Sequence, residues 1–164
     1  MTRLVFTTSD DLFSLGVRML TFSDVAHVAI GLGNRGDRLL HATLKGVVVQ
    51  PRKTWRQRTV ADFEIVPNVL RGLIRCGAQL GKPYDDAEVA LRPFLAMLQY
   101  ISPFAPRSGA SPTAWSCARF VMLLDPGGYQ IPEWRDLDPL TATPADLFGR
   151  CLGGQSFRRV GSPM

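Results

Sequence analysis

Residues 26–43, AHVAIGLGNRGDRLLHAT, decide how this chain is read. Two apolar runs, 26–32 and 38–44, flank Gly33, Asn34, Gly36 and Asp37, the residue types that reverse a chain. The stretch therefore predicts two short strands joined by a turn. Side chains alternate across a strand, so His27 points with Ala29 and Gly31 while Val28, Ile30 and Leu32 point the other way. On the second strand His41 shares its face with Leu39 and Thr43. Both of the chain's histidines thus fall on one face of one hairpin, where one imidazole can hydrogen-bond the other and fix its tautomer. The small residues beside His27 leave room on that face for a helix and a substrate.

Outward from the hairpin, residues 3–7 (RLVFT) predict a strand. Ser9, ahead of Asp10 and Asp11, then predicts a helix start, with Leu12, Leu15, Val17 and Met19 in its apolar stripe. Lys45-Gly46 leads into a third strand, VVVQ, Pro51 opens a short helix, and ADFEIVP at 61–67 reads as a fourth strand. Val69, Leu70, Leu73, Ile74 and Leu80 keep helical spacing as far as Gly81. Pro83, Pro93, Pro103 and Pro106 argue against one unbroken helix beyond it, although a helix from Pro93 to Ile101 fits. A Ser/Pro/Gly-rich loop over 102–113 leads to a helix beginning at Cys117. Thr143 and Pro144 then form a helix start, and QSFRRVG adds a last strand. Strands that follow one another this closely pair by hairpins. The expected class is α+β, an antiparallel sheet packed against helices. One domain spans 1–164, with a Pro-rich apolar insertion at about 86–113.

Composition narrows the function classes. With 46% hydrophobic and 20% charged residues the balance is that of a globular chain. Three cysteines, at 76, 117 and 151, suit neither a disulfide framework nor a zinc ribbon. Acidic residues interrupt MTRLVFTTSDD before an export signal could form, and no run reaches the roughly 18 apolar residues of a membrane span. A cytoplasmic location is expected, with delivery by a phage particle or lysis as the alternative. The net charge of +5 favours anionic surroundings. Its densest stretch, PRKTWRQR at 51–58, can touch an anionic surface through Arg52, Lys53 and Arg56, with Trp55 tucked inward. No nucleic-acid partner is expected.

Cys117 at a helix start and a strand imidazole are the parts of a cysteine-nucleophile site. In that reading Cys117 attacks an acyl carbon, His27 is base and then acid, and His41 orients His27. The first-turn N–H of Cys117 is a candidate oxyanion donor. Cys76 and Cys151 lack such partners and read as core or surface thiols. The same three side chains also match a zinc ligand set, but no fourth Cys or His accompanies them, so neither metal nor cofactor is expected.

The run His27-Val-Ala-Ile, a glycine turn, Leu-Leu-His41-Ala and Gly-Val-Val resembles the N-terminal signature of the circularly permuted NlpC-type papain-like proteins. That superfamily includes the YaeF/YiiX-like group and is related to lecithin retinol acyltransferase-like enzymes. Gly81-Lys-Pro-Tyr84-Asp85, Ser116-Cys117 before an apolar helix, and Thr143-Pro-Ala-Asp146-Leu extend the resemblance over about residues 4–160. The resemblance implies a papain-like fold with histidine first and cysteine last. It carries over Cys117 as nucleophile, His27 as base, His41 as the third polar residue and Tyr84 as a wall of the site. Relatives often read Cys-Ser-Glu where this chain has Cys117-Ala118-Arg119, which puts Arg119 toward the substrate. The implied function is a thiol hydrolase cleaving an amide or ester bond in a peptide, cell-wall fragment or lipid. Acyl transfer to a lipid or amine and a non-catalytic binding or assembly role are the alternatives.

Overall fold

The structure, a computed structural model, describes residues 1–43, 45–83 and 116–161. Six strands form one sheet: β1 Arg3–Thr8, β2 His27–Leu32, β3 Arg38–Thr43, β4 Gly46–Pro51, β5 Arg58–Ile65 and β6 Phe157–Val160. Their spatial order is β4-β3-β2-β1-β5-β6, and every pairing is antiparallel. Among the described residues the α-helices are α1 Leu12–Thr21, α2 Leu70–Gly77, α3 Cys117–Met122 and α4 Pro144–Gly153. The α+β class and the antiparallel sheet packed against helices are as the sequence predicts. The apolar insertion at about 86–113 lies outside the described residues.

Alternation gives the sheet two faces of different character. Leu4, Phe6, Val28, Ile30, Leu40, Ala42 and Phe63 project into the main core, where they meet Phe120 and Val121 of α3 and Leu147 of α4. Phe6 packs edge-on against Phe63 and Phe148, with ring centroids at 5.8 and 5.2 Å. The opposite face carries a smaller cluster, Val5, Ala29 and Leu39, capped by Trp55. The central strands β1 and β2 are thus buried on both sides. The reversal between β2 and β3 uses Gly33 and Gly36, both at positive φ. Arg3 pins it to β1 by donating to the Asn34 carbonyl at 2.8 Å.

Several helix expectations shift. The cap of α1 is Asp11, not Ser9: the Asp11 carboxylate accepts from the Ser14 N–H at 2.8 Å, and the Ser9 hydroxyl donates to that same carboxylate. A carboxylate cap has two acceptor oxygens, enough to take both donors. The capping box at α4 is as expected, with Thr143 and Asp146 satisfying each other's backbone N–H. Helix α2 ends at Gly77 rather than Gly81, and its buried side is Gly72 and Cys76, while Leu70 and Ile74 face outward. Beyond α2 the chain attaches to the sheet. The Val47 N–H donates to the Lys82 carbonyl and the Gly81 N–H to the Val47 carbonyl, both at 2.9 Å.

Gly72 explains why the small side of α2 faces inward. A Cβ there would stand 1.7 Å from the Leu124 carbonyl oxygen, so helix and loop backbones touch only because residue 72 has no side chain. Gly72→Ala gains up to about 1 kcal/mol of helix propensity. Relieving a backbone clash of this depth costs more, so a net loss of at least about 2 kcal/mol is expected. Urea unfolding checks it; equal or higher stability would contradict the close approach.

Candidate active site

The two histidines meet. His27 Nε2 and His41 Nδ1 are 2.9 Å apart, in a single hydrogen bond between buried rings. The β2–β3 register runs from Leu32↔Arg38 to Ile30↔Leu40 and stops short of both residues. Where ladder bonds give out between the strands, the imidazoles join them instead. Trp55 lies against both rings, with centroids at 5.4 Å from His27 and 4.6 Å from His41. Its indole N–H donates to Thr7 Oγ1 at 3.4 Å, and Thr7 donates to Gln57 Oε1 at 2.6 Å.

Trp55 reaches the rings because the chain turns at the end of β4. Pro51 closes the strand, and Arg52–Thr54 form one 3-10 turn rather than a longer helix. Arg52 is not an unpaired surface charge: its guanidinium lies 2.8 Å from the buried Asp62 carboxylate and donates to Thr59 Oγ1 at 3.1 Å. Of the basic trio singled out in the sequence, Lys53 and Arg56 are the members left exposed. Trp55 points inward as expected, but its contact with the histidines is new.

Cys117 is the first residue of α3, which packs against β2 and β3, the strands that carry the histidines. Ser116 caps the helix, accepting from the Arg119 N–H at 3.2 Å. The sequence reading set this helix on the His27 face. The structure sets it on the other one: Cys117, Ala118, Phe120 and Val121 share a cluster with Val28, Ile30, Leu40 and Ala42. The physical reason is area, since α3 buries far more apolar surface on that side than small residues beside His27 could offer. The His27 side goes to Trp55. His27 is the first residue of β2. Arg119 is half-buried, and Tyr84 lies outside the described residues.

Burial governs the protonation of the pair. It lowers His27 to about 3, helped by the neighbouring His41, and lowers His41 to about 4. Both rings are neutral near pH 7, and His41 Nε2 is buried without a hydrogen bond among the described residues. All three thiols are buried. Burial pushes Cys76 up to about 12 and Cys151 well above its usual range. No disulfide joins any of the three. Among the described residues no three His, Cys, Asp or Glu side chains converge as a metal site, and no helix is long and apolar enough to cross a membrane. No protein-family model and no curated protein sequence matches this chain.

Two measurements test the pair. NMR titration is clean with only two imidazoles in the chain: neither ring should titrate between about pH 5 and 8. In Trp55→Ala, which readmits water, both midpoints should rise toward the ordinary value of about 6.5. The linkage sign follows. Unfolded histidine binds protons below about pH 6.5 and the folded rings do not, so stability falls as pH drops from there toward 4, by up to about 1.4 kcal/mol per pH unit for each ring. Urea unfolding of the wild type against His27→Gln/His41→Asn should show a shallower pH slope in the double variant. Equal slopes would refute the neutral buried pair.

Proposed function

We propose that this protein is a cysteine hydrolase of permuted papain-like architecture, cleaving an amide or ester bond through a thioester on Cys117. The observation that carries the reading is the His27–His41 hydrogen bond at 2.9 Å beneath Trp55. Further support comes from α3, which begins at Cys117 and packs against the two strands bearing the pair, while burial holds the other two thiols protonated.

The chemistry follows from the tautomers. With His27 Nε2–H donating to His41 Nδ1, the lone pair of His27 lies on Nδ1, the nitrogen facing away from His41. His41 then keeps its one proton on Nε2. The thiol proton of Cys117 passes to His27 Nδ1 as sulfur attacks the acyl carbon, and the oxyanion draws on first-turn backbone N–H groups of α3. His27 returns that proton to the leaving amine or alcohol, and the carbon–heteroatom bond breaks to leave the thioester. Water then attacks: His27 takes its proton, the C–S bond breaks, the thiolate recovers the proton, and a carboxylic acid leaves.

His27 is neutral at rest in this scheme, in contrast to the imidazolium of a preformed thiolate–imidazolium pair. A buried ring at about 3 resists protonation until a negative charge develops beside it. Proton transfer and attack on the acyl carbon are therefore coupled. His41 contributes by holding the productive tautomer, as the third member of a triad does.

p-Nitrophenyl acetate is a suitable probe. Rapid mixing should release one p-nitrophenolate per chain in a burst, with an acetyl mass increment on the peptide containing Cys117. Cys117→Ser should abolish the burst, His27→Ala should slow it by about 100-fold or more, and His41→Ala by about 10-fold. Cys76→Ala and Cys151→Ala should leave it unchanged. An increment on Cys76 or Cys151, or a His27→Ala protein that acylates at the wild-type rate, would sink the proposal.

A further inference from the structure

The sheet face that carries the histidines also carries a cavity of about 690 Å³, and Trp55 belongs to both. The indole touches the two imidazoles and also lines the cavity. That volume lies within the ~300–1,000 Å³ of small-ligand sites. We propose that this cavity binds a neutral saccharide. The inference stands apart from the role of Cys117.

Charge decides the ligand class first. Three charged residues line the cavity, Asp37, Arg52 and Lys53. The Arg52 guanidinium is already matched by Asp62 at 2.8 Å. Asp37 and Lys53, both exposed, add one charge of each sign to the lining. Their sum favours neither an anion nor a cation, so charge gives no return for the hydration that a charged ligand would lose.

Surface chemistry decides the rest. Trp55, Val5, Leu39 and Pro51 give the cavity an apolar side, while Thr7, Gln57 and Thr59 give it a polar one. Thr59 Oγ1 accepts from Arg52 and keeps its own hydroxyl proton to donate. Gln57 uses its oxygen on Thr7, which leaves its amide N–H groups as donors. The Asp37 carboxylate accepts. A ligand that fits presents a flat C–H face on one side and closely spaced hydroxyls, both donor and acceptor, around its edge. A pyranose ring has that form, and an indole is well suited to its apolar face.

Cys117→Ala protein, which cannot form the proposed thioester, is titrated with cellobiose, maltose and N,N′-diacetylchitobiose by calorimetry and NMR. At least one should bind saturably with a Kd near about 1 mM, shifting the amides of Thr7, Gln57 and Thr59 and the Trp55 indole N–H. Gln57→Ala and the exposed Asp37→Ala should each weaken that binding by about five-fold, the worth of one hydrogen bond. Lys53→Ala should leave it unchanged. The proposal fails if none of the three sugars saturates, or if binding survives both variants intact. It fails equally if sodium phosphate displaces the sugar and Lys53→Ala abolishes binding, since the site would then be anionic in preference.

Discussion

Everything in this fold depends on two adjacent strands, β1 and β2, being buried on both faces at once. Leu4, Val5, Phe6, Val28, Ala29 and Ile30 are all inaccessible to solvent. An antiparallel sheet of this size can leave one face wet; here neither face can be. The α3 and α4 side chains cover one face, and the turn bearing Trp55 covers the other. The second cover is thin, built from a single aromatic ring and its hydrogen-bonded neighbours Thr7 and Gln57. It also holds four polar side chains: the two histidines, Asp62 and Arg52. A large core buys the order; a thin polar layer is where that order can be put to use.

The hairpin at 26–43 was legible because alternation and turn chemistry are local. Counting by twos set His27 and His41 on one side, and the hydrogen bond between them followed from that parity alone. The capping box at Thr143 was legible for the same reason, since cap and partner are three residues apart. Helix α2 was legible in its spacing but not in its buried side. The approach of the Leu124 backbone selected Gly72, and no pattern within α2 records that distant loop.

The position of α3 shows the same limit at the candidate site. Small residues beside His27 suggested space for a helix, yet space is a weaker claim than buried area, and Val28, Ile30, Leu40 and Ala42 won the helix. Trp55 was invisible as a partner of the histidines because it lies fourteen residues beyond His41 and across a strand and a turn. The low basicity of both imidazoles could not be read from sequence either. It belongs to the packed surroundings, and a histidine carries no mark of how much water will be left around it.

One small feature has a bearing on how this protein behaves in company. The outermost strand on one side, β4, has its rim taken up by the Gly81–Lys82 backbone at Val47 and ends in Pro51, which has no N–H to offer. The opposite rim, β6, is only four residues long and exposes Arg158 and Arg159. A sheet whose borders are stitched at one end and cationic at the other gives a neighbouring copy little template for strand-by-strand growth. Crowded copies of this chain are thereby steered away from fibrous assembly.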